Sequence, residues 1–192
     1  RKPRSSFWKS PSCRPRPTPR LQVAGLVRLE GALDAGATPG VAGDVAGAVG
    51  LLRGRLRLEL HGLYTAPRAI DRGPAAVATL ARWAVGARGC GRVVQGRLEI
   101  PLCLGVEAGQ WLAAGAGITV GRQQARPPWL GLLAGPGLVW SPHPRVGLGA
   151  RAELVLAPLR ARFTVGEELV YTVDPAGLRV SAGVELRFGP GG

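Results

Sequence analysis

A chain of 192 residues suits one domain with a tail. Its net charge of +13 would ordinarily point to nucleic acid or an anionic surface. However, about half the excess sits in Arg1, Lys2, Arg4, Lys9, Arg14, Arg16 and Arg20, with no acid among them, and most other basic residues have acidic neighbours, so no nucleic-acid partner is expected. Residues 1–20 (RKPRSSFWKSPSCRPRPTPR) are Pro-rich and basic and read as a disordered tail or linker; Cys13 lies within it. The segment lacks the apolar core of a signal peptide, and the chain opens on Arg with no Met anywhere, so the true start is expected upstream.

From Leu21 onward the pattern is a two-residue alternation, the signature of strands with one oily and one polar face. In the first run Leu21, Val23, Val27, Leu29 and Leu33 oppose Gln22, Arg28, Glu30 and Asp34, and DAGATPG then makes a turn. Val41, Val45, Val49 and Leu51 oppose Asp44 and small residues. In RLRLELHGLY, Leu56, Leu58, Leu60 and Tyr64 oppose Arg55, Arg57, Glu59 and His61. A polar loop over 65–74 leads to a run in which Val77, Trp83 and Val85 oppose Arg82, Arg88 and Cys90, and 91–96 reads as a turn. Leu98, Ile100, Leu102, Leu104 and Val106 then oppose Arg97, Glu99, Cys103 and Glu107. Residues 109–128 read as irregular, and 130–140 as a weak strand interrupted by Gly131, Gly135, Pro136 and Gly137. Val146, Leu148, Leu154 and Leu156 oppose Arg145, Arg151 and Glu153. Residues 158–175 read as a long excursion containing a hairpin through 163–165 and 169–173. Finally Leu178, Val180, Ala182, Val184, Leu186 and Phe188 oppose Arg179, Ser181, Gly183, Glu185 and Arg187, before a short Gly/Pro tail over 189–192.

The count is about eight strands, each near the 9–11 residues that a tilted strand needs to cross a bilayer. Short connections after the second, fourth and sixth alternate with long ones after the third, fifth and seventh, which suits short turns on one side and longer loops on the other. A closing strand of alternate apolar residues ending at Phe188 resembles the last strand of bacterial outer-membrane β-barrels, and the pattern over 21–188 resembles the small OmpA-like and OmpX-like barrels. That resemblance implies an all-β, eight-stranded antiparallel up-and-down transmembrane barrel, monomeric, in the outer membrane of a Gram-negative bacterium, with outer-membrane lipids and lipopolysaccharide as its implied partners. Pro136 within a strand departs from the pattern, and residues 127–144, which carry no charge, raise a helical span as a competitor that their Pro and Gly content disfavours.

Alternation alone does not separate a membrane barrel from a soluble, lipocalin-like one with its apolar face inward. The polar face argues for the former. Arg28, Glu30, Asp44, Arg57, Glu59, His61, Arg82, Arg88, Glu107, Arg151, Glu153, Arg179 and Glu185 are balanced in sign and interspersed with small residues such as Ala46, Gly86, Gly149 and Gly183. A narrow interior needs both, because buried charges must be paired and long side chains need room. Tyr64, Trp129 and Trp140 fall near strand ends as an interfacial girdle would, whereas Trp83 falls near mid-strand.

Cys90 and Cys103 share the inward set on consecutive strands, where a tight turn sets them opposite one another; the choice is a disulfide or two buried thiols. No metal-ligand spacing or phosphate-binding loop is present, so no metal or cofactor is expected. His61 with Ser181, the one inward Ser in a strand core, is the only pairing that a hydrolase could use, and no motif supports it. The expected role is non-enzymatic: a sealed, salt-bridged barrel acting structurally or through surface contacts, with Arg122, Arg126, Arg160 and Arg162 as loop cations facing lipopolysaccharide. An outer-membrane lipid-modifying enzyme, a small pore and a soluble ligand-binding barrel are the alternatives.

Overall fold

Strict alternation leaves each segment with one face to bury, and the chain resolves this by closing a sheet on itself. A computed structural model describes residues 23–36, 38, 40–71, 77–116, 123–159, 161–165 and 168–189. The tail over 1–20, Leu21, Gln22, Arg122, Arg160 and residues 190–192 lie outside the described residues. The strands are β1 (Val23–Ala35), β2 (Val41–Arg53), β3 (Leu56–Asp71), β4 (Val77–Val94), β5 (Leu98–Ala116), β6 (Gln123–Ala125), β7 (Pro128–His143), β8 (Val146–Leu156), β9 (Arg162–Val165), β10 (Glu168–Thr172) and β11 (Ala176–Phe188). No helix occurs among the described residues, so 127–144 is strand and turn.

Neighbours pair in the order β4-β3-β2-β1-β11-β8-β7-β5, and β5 pairs back with β4, so eight antiparallel strands form a closed ring without a free edge. The first and last strands meet in continuous register from Gly25↔Phe188 to Ala35↔Leu178. β6 adds to the end of β5, and β9 with β10 forms a separate hairpin.

The barrel strands run from 11 to 19 residues, enough for each to cross a bilayer and for most to extend beyond it. The segment over 109–116 is part of β5, not irregular: GQWLAAGA lacks apolar–polar contrast, but it pairs with the first half of β4, from Val77 to Ala84. β3 likewise runs on to Asp71 through an irregularity between Thr65 and Arg68, where Pro67 cannot donate to a ladder. β4 continues through 91–94, where the glycine-containing sequence reads as a turn, with a second irregularity between Arg92 and Val94. Pro101 falls where the β5–β7 ladder skips between Glu99↔Val139 and Leu102↔Pro136, and Pro136 where the β7–β8 ladder skips between Ala134↔Leu154 and Gly137↔Arg151, so the weak strand survives its proline. One end carries the tight turns around Gly54, Gly96 and Pro144, and Gly54 supplies the positive φ of 56° that its turn needs. The other end carries the longer connections and the β9–β10 hairpin.

The two faces are inverted relative to a soluble protein. Leu29, Val45, Leu60 and Leu104 are 66, 62, 63 and 71% exposed on the outside. Inside, seven arginines (Arg28, Arg57, Arg82, Arg88, Arg151, Arg179, Arg187) and seven carboxylates (Asp34, Asp44, Glu59, Glu99, Glu107, Glu153, Glu185) are buried. At the long-connection end the lumen turns apolar, where Leu80, Trp111, Trp129, Leu133, Val155 and Val173 pack with Phe163 of the hairpin.

Candidate functional site: the lumenal charge network

Each member of the network reaches the lumen because it sits on the inward alternation of its strand. Glu59 on β3 is the hub of the short-turn half. It accepts two bonds from Arg28 at 2.8 Å each and one from Arg57 at 2.5 Å, with Arg88 and Arg151 at 3.3 and 3.4 Å. Arg57 also donates to Glu185, which accepts from Arg187 at 2.7 Å. Arg187 in turn grips Glu99 with two bonds of 2.8 and 3.1 Å. Arg28 reaches Glu30 at 2.9 Å, and Arg88 reaches Glu153 at 2.9 Å.

Nearer the long-connection end, Arg179 on β11 bonds both oxygens of Glu107 at 2.8 and 2.9 Å and also donates to Asp34. Asp34 accepts from Arg82 at 2.8 Å. The Arg82 guanidinium lies 4.4 Å from the Trp129 ring centre and 5.2 Å from that of Trp111, so both rings face a cation. Trp129 donates its indole N–H to Glu107 at 2.9 Å. Asp44 lies within 3.9 Å of Arg179 and 4.0 Å of Arg82, and His61 Nε2 is 3.7 Å from Glu107. Small inward residues make the space: a side chain at Gly86 would run into the His61 ring at 2.7 Å, and one at Gly131 into Glu107 at 2.9 Å.

Charged side chains cost several kcal/mol each to dehydrate, and only dense mutual pairing offsets this. Here the pairing joins charged side chains from seven of the eight barrel strands, and β7 adds the Trp129 indole N–H on Glu107. As an arrangement of paired charges it braces the strands against one another through the interior. Ser181 is buried and pairs in register with Ala32 and Arg151, and among the described residues no hydrogen bond joins it to His61. Among the described residues no group of His, Cys, Asp and Glu has the arrangement to hold a metal ion. Cys90 and Cys103 face one another across β4 and β5 and form a lumen-facing disulfide.

Three participants stand outside the mid-strand set read from sequence: Asp34, Glu99 and Arg187. Each lies near a strand end but on the inward alternation, and that alternation was the available signal. Trp111 was hidden in the segment read as irregular. Trp129 overturns an expectation: it is 2% exposed inside the barrel and not part of an outer girdle. Its neighbours explain this: Arg82 offers the ring a cation, and Glu107 accepts the indole N–H. Tyr64 and Trp83 are a cross-strand pair on the outer face, which puts Trp83 at the height of Tyr64. Phe188, the last residue of β11, is 55% exposed beside Gly25.

Outside the brace, Tyr171 of the hairpin donates to the Gly36 carbonyl at 3.2 Å and ties the hairpin to the β1–β2 connection. Its pKa is pushed up to about 12, first by burial and then by Asp174. Arg126 and Arg162 are exposed and line a cavity of about 640 Å³ with Gln124 and Thr164 at the same end.

No protein-family model and no curated protein sequence matches the chain. Among solved structures it is similar to a major outer membrane protein from Thermus thermophilus, with a TM-score of 0.62 and 14% identity over 85% of this chain and 99% of that one. It is also similar to Neisserial surface protein A, with a TM-score of 0.54 and 15% identity over 86% and 97% of the two chains. A third is Ail, the attachment invasion locus protein of Yersinia pestis, in complex with the heparin analogue sucrose octasulfate, with a TM-score of 0.53 and 14% identity over 88% and 99%. The ring closure, the inverted faces and these likenesses together show that the chain has the eight-stranded antiparallel barrel fold of outer-membrane proteins.

Proposed function

We propose that the protein is a monomeric integral barrel of a Gram-negative outer membrane. Its salt-bridged interior is sealed, and its longer connections serve a structural or surface-interaction role. The observation that carries this reading is the inversion itself: the aliphatic rows lie outside, and the arginines and carboxylates neutralise one another around the axis. In water that outer surface would be an apolar patch far larger than soluble monomers carry. In a bilayer it is the ordinary surface of a barrel. By the same reasoning the tight-turn end faces the periplasm and the hairpin end faces outward. Sealing rests on two layers, the charge brace and the apolar cluster of Trp111, Trp129 and Phe163 above it. Arg126 and Arg162 at the outer end favour contact with anionic surface polymers such as lipopolysaccharide, and a likeness to a protein crystallised with a polysulfated sugar is compatible with that.

Two experiments test the reading. Protein folded in detergent should migrate differently on a gel before and after boiling, and a chain monomeric in detergent-free buffer contradicts the membrane assignment. In planar bilayers the folded protein should give no conductance steps, and regular steps contradict the sealed interior.

A further inference from the structure

The outer surface is not evenly covered. One row of cross-strand partners, starting at the closing contact, runs Phe188, Gly25, Leu51, Leu58, Gly89 and Leu104 through successive registers. Two of its six positions have no side chain. The result is a groove of about 930 Å³ with an almost wholly apolar lining, within the size range of small-molecule sites. A Cβ placed at Gly25 would meet nothing within 4 Å, and one at Gly89 would make only an ordinary 3.7 Å contact with Leu58. The groove is therefore open space on the lipid-facing side, and no backbone constraint demands those glycines.

The next row toward the tight turns runs Val23, Arg53, Leu56 and Gly91. Arg53 shares the outward alternation of Val49 and Leu51, so it stands directly below the groove. Arg55 follows across the turn. Both are exposed, and neither side chain has a hydrogen bond or ion pair among the described residues. Nearby Arg92 is different: it is engaged by Glu99 and the Gly54 carbonyl. At this end Glu99 and Glu185 are buried and paired with arginines, so no carboxylate among the described residues there is left to answer Arg53 and Arg55.

An apolar groove that ends at uncompensated guanidinium groups has the polarity of a phospholipid: acyl chain above, phosphate below. Guanidinium binds phosphodiester oxygens in a two-pronged fashion, and near the interface that bond is only partly exposed to water. We propose that this groove with Arg53 and Arg55 is a binding site for one anionic glycerophospholipid of the periplasmic leaflet. The inference rests on the membrane reading above and on the tight-turn end facing the periplasm.

The test uses protein folded into vesicles of phosphatidylglycerol and phosphatidylcholine, extracted in mild detergent and weighed with its bound lipid by native mass spectrometry. The wild type should retain one phosphatidylglycerol in preference to phosphatidylcholine. R53Q/R55Q should lower that retention by about tenfold, the loss expected for one charge-assisted bond, and erase the preference. G25L/G89L, which fills the groove, should lose both lipids while keeping the wild-type gel shift. Equal retention of the two lipids by the wild type, unchanged retention in R53Q/R55Q, preference for added lipopolysaccharide, or a lipid-free mass of two chains would each overturn the proposal. A wild type without a gel shift would instead refute the membrane barrel itself.

Discussion

Arg179 on β11 and Glu107 on β5 are joined across the lumen by a two-pronged pair at 2.8 and 2.9 Å, although β8 and β7 separate their strands in the ring. The bond therefore spans the interior, where neither group can find water in exchange. Replacing Arg179 with Leu leaves Glu107 and Asp34 buried and less compensated, and should cost about 3–5 kcal/mol. Adding Glu107→Leu should recover part of that loss. Urea unfolding in lipid vesicles measures both, and a double variant worse than the sum of the singles contradicts the brace.

Three cysteines stand in the chain and two are bonded, which makes the thiol count a direct readout. Unfolded without reductant, the protein should take up one maleimide, on Cys13; after reduction it should take up three. Cys90 and Cys103 lie 13 residues apart, so C90A/C103A should lower stability by about 3 kcal/mol on the loop-closure account.

Depth on the outer face should show in arginine scanning. Leu60→Arg and Leu104→Arg, in the middle of the aliphatic band, should cost about 2–4 kcal/mol each, whereas Val23→Arg at the tight-turn edge should cost little. Equal, small costs at all three positions would point to an outer face bathed in water.

Glycines on the two faces should respond in opposite ways. A Cβ at inward Gly183 would sit 2.1 Å from the Leu29 carbonyl oxygen, while at outward Gly31 nothing lies within 4 Å. Gly183→Ala should therefore weaken or prevent folding, and Gly31→Ala should leave the gel shift unchanged.

The fold was legible wherever apolar and polar residues alternate cleanly, as in RLRLELHGLY and AGLRVSAGVELRF. It was obscured where the inward residues are themselves small or apolar. GQWLAAGA of β5 lines the apolar end of the lumen, so both of its faces read alike and the strand looked too short. Trp129 shows the same effect, because an aromatic near a strand end fits an interfacial girdle or a lumenal cap equally well, and only the positions of Arg82 and Glu107 decide. The partners within the brace were not readable either. Glu59 meets arginines from β1, β3, β4 and β8, and which guanidiniums converge on one carboxylate depends on register and shear that alternation does not encode.

On the proposed reading the aliphatic rows meet lipid and the charged rows meet one another. Nuclear Overhauser contacts between the methyl groups of the folded protein and protonated acyl chains distinguish these surroundings. Leu29, Val45, Leu60 and Leu104 should show strong contacts to the acyl chains, and the side chains of Arg179 and Glu59 should show none. Contacts among those four methyl groups across the barrel interior, with the arginines reached by water or headgroups instead, would contradict the account.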